Sequence, residues 1–150
     1  MSSFPGFPSG QVRFTSVPDL FFSELLAQID DLAELKLTLH AFWRLYHKKG
    51  HYRYLSRTEL EQDGVLLKGL SQPGLAPLTV LNAALERATS RGTLLKLVVE
   101  VDGRPEEWYF LNTPRSREAI QAIEQGELAP STIAVTVGEV VVPAERPNIF

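Results

Sequence analysis

The stretch "LTVLNAALERATSRGTLLKLVVEVDGRPEEWYFLN" (Leu78–Asn112) passes from a helical repeat, through Arg91-Gly92, into two strand-forming runs joined by Asp102-Gly103. In its first half Leu78, Leu81, Leu85 and Ala88 fall on one helical face, and Gly92 supplies the stop. In its second half the Asp-Gly pair is the signal for a two-residue type I′ hairpin. That turn fixes the register: Val101 faces Arg104, Val99 faces Glu106, Leu97 faces Trp108 and Leu95 faces Phe110. Lys96, Glu100 and Tyr109 then lie on the opposite face. Pro105 has no N–H to give a ladder and is expected to point outward near the tip.

Upstream, "QVRFTSV" (Gln11–Val17) permits a short strand. Pro18 and Asp19 open a helix expected to run to Ile29, whose Phe21, Phe22, Leu25, Leu26 and Ile29 form a broad apolar face that needs a cover. Asp30 or Asp31 caps the next helix. There Leu32, Leu35, Leu39, Phe42 and Tyr46 form an unbroken stripe, flanked by Trp43 and Leu45, so this is the expected central core helix, ended by Gly50. Ser56 stands three residues before Glu59, the spacing of a capping box, and predicts a helix from Arg57. "SQPGLAP" (Ser71–Pro77) is a turn cluster. After the hairpin, "TPRSREAIQAIEQG" (Thr113–Gly126) reads as a helix capped by Thr113 and stopped by Gly126. "STIAVTVGEVVVPAERPNIF" (Ser131–Phe150) reads as a strand or as an extended linker.

The 150 residues, 44% of them hydrophobic, suffice for one core without metal or disulfide, and there is no cysteine. Neither a leader-like start nor an apolar run of ~20 residues is present, which sets the expectation of a cytoplasmic protein without a membrane span. Phosphate-loop, dinucleotide-loop, nucleophile-elbow and zinc-protease patterns are all missing, so the expectation is a chain that is not an enzyme and takes no cofactor and no metal. His47 and His51 have the spacing of two ligands on one helical face, but Gly50 interrupts the helix between them. Glu59, Glu61 and Asp63 read as a solvated acidic face.

Charge is unevenly placed although the formal total is only -3. From Asp19 to Glu34 there are five acids and no base, whereas His47 to Arg57 holds Lys48, Lys49, Arg53 and Arg57 and no acid. Basic residues interleaved with Tyr52 and Tyr54 suit phosphate contacts. Equally, Lys48 and Lys49 suit the negative end of the helix they follow. The outward face of the Leu78–Arg91 helix offers Thr79, Asn82, Ala83, Glu86, Thr89 and Ser90, a poor set for reading base edges because Glu86 stands beside Asn82. Arg87, Arg91 and Arg104 remain as backbone anchors. Phe4, Phe7 and Phe14, in an arm rich in Pro, Gly and Ser, are candidates for self-association.

Helix, helix, helix and hairpin in this order is the α+β pattern of a winged helix-turn-helix domain, here with a two-stranded wing, an extra N-terminal helix and a C-terminal helix. The division expected is an arm over 1–15, the winged-helix domain over 16–126, and a strand or linker over 127–150. "VPDLFFSELLAQIDDLAELKLTLHAFW" (Val17–Trp43) resembles the opening of the N-terminal domain of DnaD-like replication proteins, and "RPNIF" (Arg146–Phe150) resembles the start of their C-terminal domain. The resemblance implies primosome or phage replisome assembly: a domain that self-associates and contacts replication-initiation proteins, while a following C-terminal DnaD domain, absent from these 150 residues, supplies much of the DNA binding. The expected function is therefore a replication-initiation scaffold, homo-oligomeric, with weak phosphate contacts to DNA. The alternative is a winged-helix transcriptional regulator that places the Leu78–Arg91 helix in the major groove.

Overall fold

The computed structural model describes residues 3–130. Its elements run in the order π-helical turn Phe21–Leu25, α1 (Leu26–Gln28), α2 (Leu32–Tyr46), β1 (Leu55–Ser56), α3 (Arg57–Glu61), α4 (Gly64–Gly69), α5 (Pro77–Arg91), β2 (Leu94–Val101), β3 (Arg104–Leu111) and α6 (Pro114–Glu124). Three antiparallel strands form one sheet in the order β1-β3-β2, so the fold is α+β with the helices set around a small sheet. No helix among the described residues is long and apolar enough to cross a membrane.

The hairpin follows its sequence reading residue by residue. Val101 pairs with Arg104, Val99 with Glu106, Leu97 with Trp108 and Leu95 with Phe110. Asp102 and Gly103 both take positive φ, 55° and 79°, as a type I′ turn demands of its two central residues. Gly92 ends α5 in the left-handed region at φ 91°, where its N–H reaches back to Ala88 O and Thr89 O. The capping box is also present: Glu59 N donates to Ser56 Oγ and Ser56 N to Glu59 Oε2, each at 3.1 Å. Thr113 caps α6 by accepting from Ser116 N.

Because the sheet is covered on both faces, it separates two cores. On one side Tyr109 and Leu94 join Leu37, Ala41 and Leu45 of α2, Leu66 and Leu70 from the α4 region, and Leu81, Ala84 and Leu85 of α5. On the other, Leu97, Val99, Trp108 and Phe110 pack with Tyr54 and Ala119. Tyr54 stacks on Trp108, centroids 3.9 Å apart and rings 10° from parallel. The alternation of β3 thus serves two interiors at once, which explains why Trp108, Tyr109 and Phe110 are all buried in succession.

Several sequence expectations need correction. The core face of α2 is Ala33, Glu34, Leu37, Thr38, Ala41, Phe42 and Leu45, not the expected stripe, of which Leu32, Leu39 and Tyr46 are exposed. Small residues win because α2 packs closely on α5, which contributes Ala84 and Ala88 at the same contact. On the segment before α2 only Phe21 is buried; it meets Phe42 edge to face, while Phe22 and Leu26 remain exposed. In α5 the inward set is Val80, Leu81, Ala84, Leu85 and Ala88, and Leu78 points out. Gln11–Val17 forms no strand, and β1, which pairs Leu55 with Tyr109 and Ser56 with Trp108, was not foreseen because two residues carry no periodicity. The strand or linker expected over 127–150 lies, from 131 onward, outside the described residues.

Candidate functional site

Most of the basic residues between His47 and Arg57 are engaged within the fold. Lys48 places Nζ 2.8 Å from Glu59 Oε1 and 5.4 Å from the centre of the Tyr54 ring, and its side chain is only 10% exposed. Arg53 folds back on the end of α2, donating to the carbonyls of Leu45, Tyr46 and Gly50 at 3.3, 3.1 and 3.1 Å. It thereby supplies the C-terminal complement to the helix dipole that Lys48 and Lys49 suggested from sequence. Lys49 is exposed.

Arg57 is a hub between three elements. It donates to Glu61 Oε2 at 2.9 Å, to Glu107 Oε1 at 3.1 Å and to Asn82 Oδ1 at 3.0 Å. The last bond engages Asn82, the amide side chain on the outer face of α5. Tyr109 OH donates to the same Glu107 oxygen at 2.6 Å. That bond and the nearby cations Lys96 and Arg57 hold the Glu107 carboxyl below its ordinary range against the opposing effect of burial. Burial, together with this bond, pushes the Tyr109 phenol up to about 12.

Arg91 makes a bidentate pair with Glu34, 2.7 and 2.9 Å, and the Glu34 side chain is 0% exposed. The pair joins the last turn of α5 to the first turn of α2, each charge at the end of its helix that the dipole favours. Arg87 is half-exposed and 4.0 Å from Asp31. Arg104 is exposed beside the hairpin turn, and among the described residues no side-chain bond holds it or Lys49. The structure therefore gathers Arg57 with Asn82 and Glu107, and leaves Lys49, Arg87 and Arg104 as the expected cations that face solvent.

The acidic group from Glu59 to Asp63 is not a simple solvated face. His40 and Arg44 on α2, and Lys48 just past its end, meet the carboxylates of Glu59 and Asp63. Asp63 accepts from His40 Nε2 at 2.7 Å, from Arg44 and from Leu66 N, which it N-caps. Burial pushes the Asp63 carboxyl up, but the bonds from His40, Leu66 and Arg44 outweigh it and hold the group below its ordinary range. Sequence reasoning had no signal for this network except the four-residue spacing of His40, Arg44 and Lys48.

Apolar exposure is the other feature. Phe4, Phe7 and Phe14 are 68%, 90% and 78% exposed, with Phe4 and Phe7 in edge contact with each other. The arm that carries them is tied to the body through His47, whose Nδ1 accepts from Arg13 at 3.0 Å and whose Nε2 lies 3.2 Å from Thr15 Oγ1. On α2 the side directed away from the core carries Leu32, Leu39, Trp43 and Tyr46, 63%, 40%, 44% and 45% exposed, and Leu20, Phe22 and Leu26 are exposed nearby in sequence. A cleft of about 820 Å³ lies between the Ser16–Gln28 segment and the end of β3, with Phe21, Phe42, Leu45, Phe110, Arg53 and Arg115 among the residues that line it. Compared with known proteins, the chain matches no protein-family model, no curated protein and no solved structure.

Proposed function

We propose that the chain is a winged-helix interaction module of DNA replication initiation, working as a self-associating scaffold for replication-initiation proteins and touching DNA only weakly. The element order α2, β1, α3–α4, α5, β2, β3 and the sheet order β1-β3-β2 support the winged-helix reading. The observation that carries the function is the contrast between surfaces: the cations expected to bind DNA are largely paired within the fold, whereas a run of large apolar side chains on α2 is left uncovered. Large apolar side chains left exposed on one side of a helix favour a protein-contact reading. Lys49, Arg87 and Arg104 supply the remaining phosphate contacts. The resemblance of Val17–Trp43 and Arg146–Phe150 to DnaD-like proteins is the ground for proposing primosome assembly as its setting. The regulator reading loses its best candidate contact, because Asn82 is held by Arg57.

The test is to follow the full chain by light scattering on a sizing column while binding to labelled duplexes of unrelated sequence is measured by fluorescence anisotropy. The scaffold reading expects assemblies larger than a monomer and similar, weak affinities for all duplexes. A monomer that prefers one duplex strongly over the others contradicts it.

A further inference from the structure

Strand β2 lies at one edge of the sheet, and among the described residues only β3 pairs with it. The hairpin sets which of its main-chain groups face out. In a two-residue hairpin the pair that flanks the turn, here Val101 and Arg104, exchanges both main-chain bonds, and such pairs alternate with pairs that exchange none. Val99 and Leu97 therefore turn N–H and C=O toward β3, whereas Glu100, Val98 and Lys96 turn theirs away from it. Pro105 agrees with this phase, because it stands opposite Glu100, where the ladder asks for no N–H. The outward groups of β2 make no main-chain bond outside the hairpin among the described residues. Neither a proline nor a bulge interrupts the register from Leu94 to Val101, so this edge lacks two of the usual blocks to strand pairing. Lys96, Val98 and Glu100 are all exposed, Val98 at 57%.

Resting on the self-association proposed above, we infer that two copies of the chain meet at this edge, β2 antiparallel to β2 about a two-fold axis at Val98, so that their sheets join into one. Free N–H and C=O groups on an edge are a template for another strand, and the side chains select which strand. About that axis Val98 meets Val98, Lys96 meets Glu100 of the second copy, and Glu100 meets its Lys96. All three residues direct their main-chain groups outward, so each pair exchanges both main-chain bonds, with the side chains on one face of the joined sheet. An axis at Lys96 sets lysine against lysine, and one at Glu100 sets glutamate against glutamate. The Val98 axis gives both charges an opposite and brings the exposed valines together, which is the self-complementarity an isologous contact needs. A lysine on an edge ordinarily deters strand addition; here the second copy supplies its carboxylate. Lys96 Nζ also lies 3.6 Å from Glu107 Oε2 of its own hairpin, too far for a hydrogen bond, and its side chain is 44% exposed. Its N–H donors are thus open to Glu100 of the second copy. Exposed ion pairs of this kind set register more than affinity, which the main-chain bonds and the valines supply. The exposed row on α2, Leu32, Leu39, Trp43 and Tyr46, and the arm phenylalanines take no part in the contact.

Sedimentation velocity of the full chain over a concentration series, with amide hydrogen exchange along β2, tests this. Lys96→Glu opposes carboxylates at both ends of the contact, and Glu100→Lys opposes ammonium groups there. Each variant alone is expected to associate about tenfold more weakly. Mixed in equal amounts the two recover association, because residue 96 of one copy again faces the opposite charge at residue 100 of the other. A folding defect in either variant, checked by circular dichroism, would not be mended by mixing. In the unaltered chain the Lys96, Val98 and Glu100 amides exchange more slowly as concentration rises. If the single variants associate as the unaltered chain does, or the mixture stays as weak as its components, the β2 edge is not the interface and the scaffold reading must rest on another surface. Protection of these amides that is the same at every concentration means that the chain covers its own edge, and it too overturns the inference. If the unaltered chain stays a monomer up to millimolar concentration, both this assignment and the scaffold reading are overturned.

Discussion

Arg91 shows how a residue can look like a DNA anchor in the sequence and be a structural one in the fold. Its guanidinium is bound at both prongs by Glu34, which has no solvent exposure. Removing the cation by Arg91→Ala strands a buried carboxylate and is expected to cost about 3 to 5 kcal/mol in urea unfolding, with much of the loss recovered in the double variant that also carries Glu34→Gln. A loss under about 1 kcal/mol would show the pair to be solvated. Tyr109 carries a second prediction at this scale. Its phenol is raised from 10.0 to about 12, so between those values the unfolded chain has released a proton that the folded chain keeps. Stability present below pH 10 is therefore lost as pH rises toward 12, and alkaline melting curves of Tyr109→Phe fall less steeply over that window. Asp63 has the opposite sign. Its depressed carboxyl contributes stability above its ordinary range near 3.8, and that contribution disappears as pH falls through the folded value. The Glu34–Arg91 and Arg57–Glu107 partnerships were not legible in the sequence, because their members are separated by 57 and 50 residues.

At the scale of elements, what was legible depended on how local the determining interaction is. The hairpin register, the Ser56–Glu59 box and the Thr113 cap depend on residues within a few positions of one another, and all were readable. The face of α2 was not. Hydrophobicity alone selects Leu32, Leu39 and Tyr46, yet the neighbouring α5 presents Ala84 and Ala88, and a close helix contact takes Ala33, Ala41 and Thr38 instead. Substitutions should therefore follow the observed face. Ala41→Leu, which adds bulk at the α2–α5 contact, is expected to destabilise by about 1 to 3 kcal/mol. Leu32→Ser on the exposed row changes the unfolding free energy by only about 0.5 kcal/mol or less, despite the larger loss of apolar area. The reverse ranking in thermal or urea melts would return the core to the stripe expected from sequence. The candidate site was legible in the same partial way: the residues of the α2 row were singled out, but as core, because their spacing is equally that of a buried face.

For the whole molecule, the formal charge of -3 and the pairing of Lys48, Arg53, Arg57 and Arg91 leave few cations for phosphates. If Lys49, Arg87 and Arg104 are the contacts, the logarithm of DNA affinity falls with the logarithm of salt concentration with a slope of about -2 to -3, near -0.9 per phosphate. A slope steeper than about -5 in fluorescence anisotropy titrations would show that the paired arginines are recruited as well. The apolar row on α2 responds to salt in the other sense, since burial of apolar surface is not screened and is strengthened by excluded salts. The central claim, that this chain acts through an apolar protein-contact surface and not through its basic residues, is tested most directly by sedimentation velocity of the unaltered chain at rising concentration in low and in high sodium sulfate. The expected result is a sedimentation coefficient that climbs with concentration and persists or strengthens at high salt; a constant monomer value, or an assembly that salt dissolves, contradicts it.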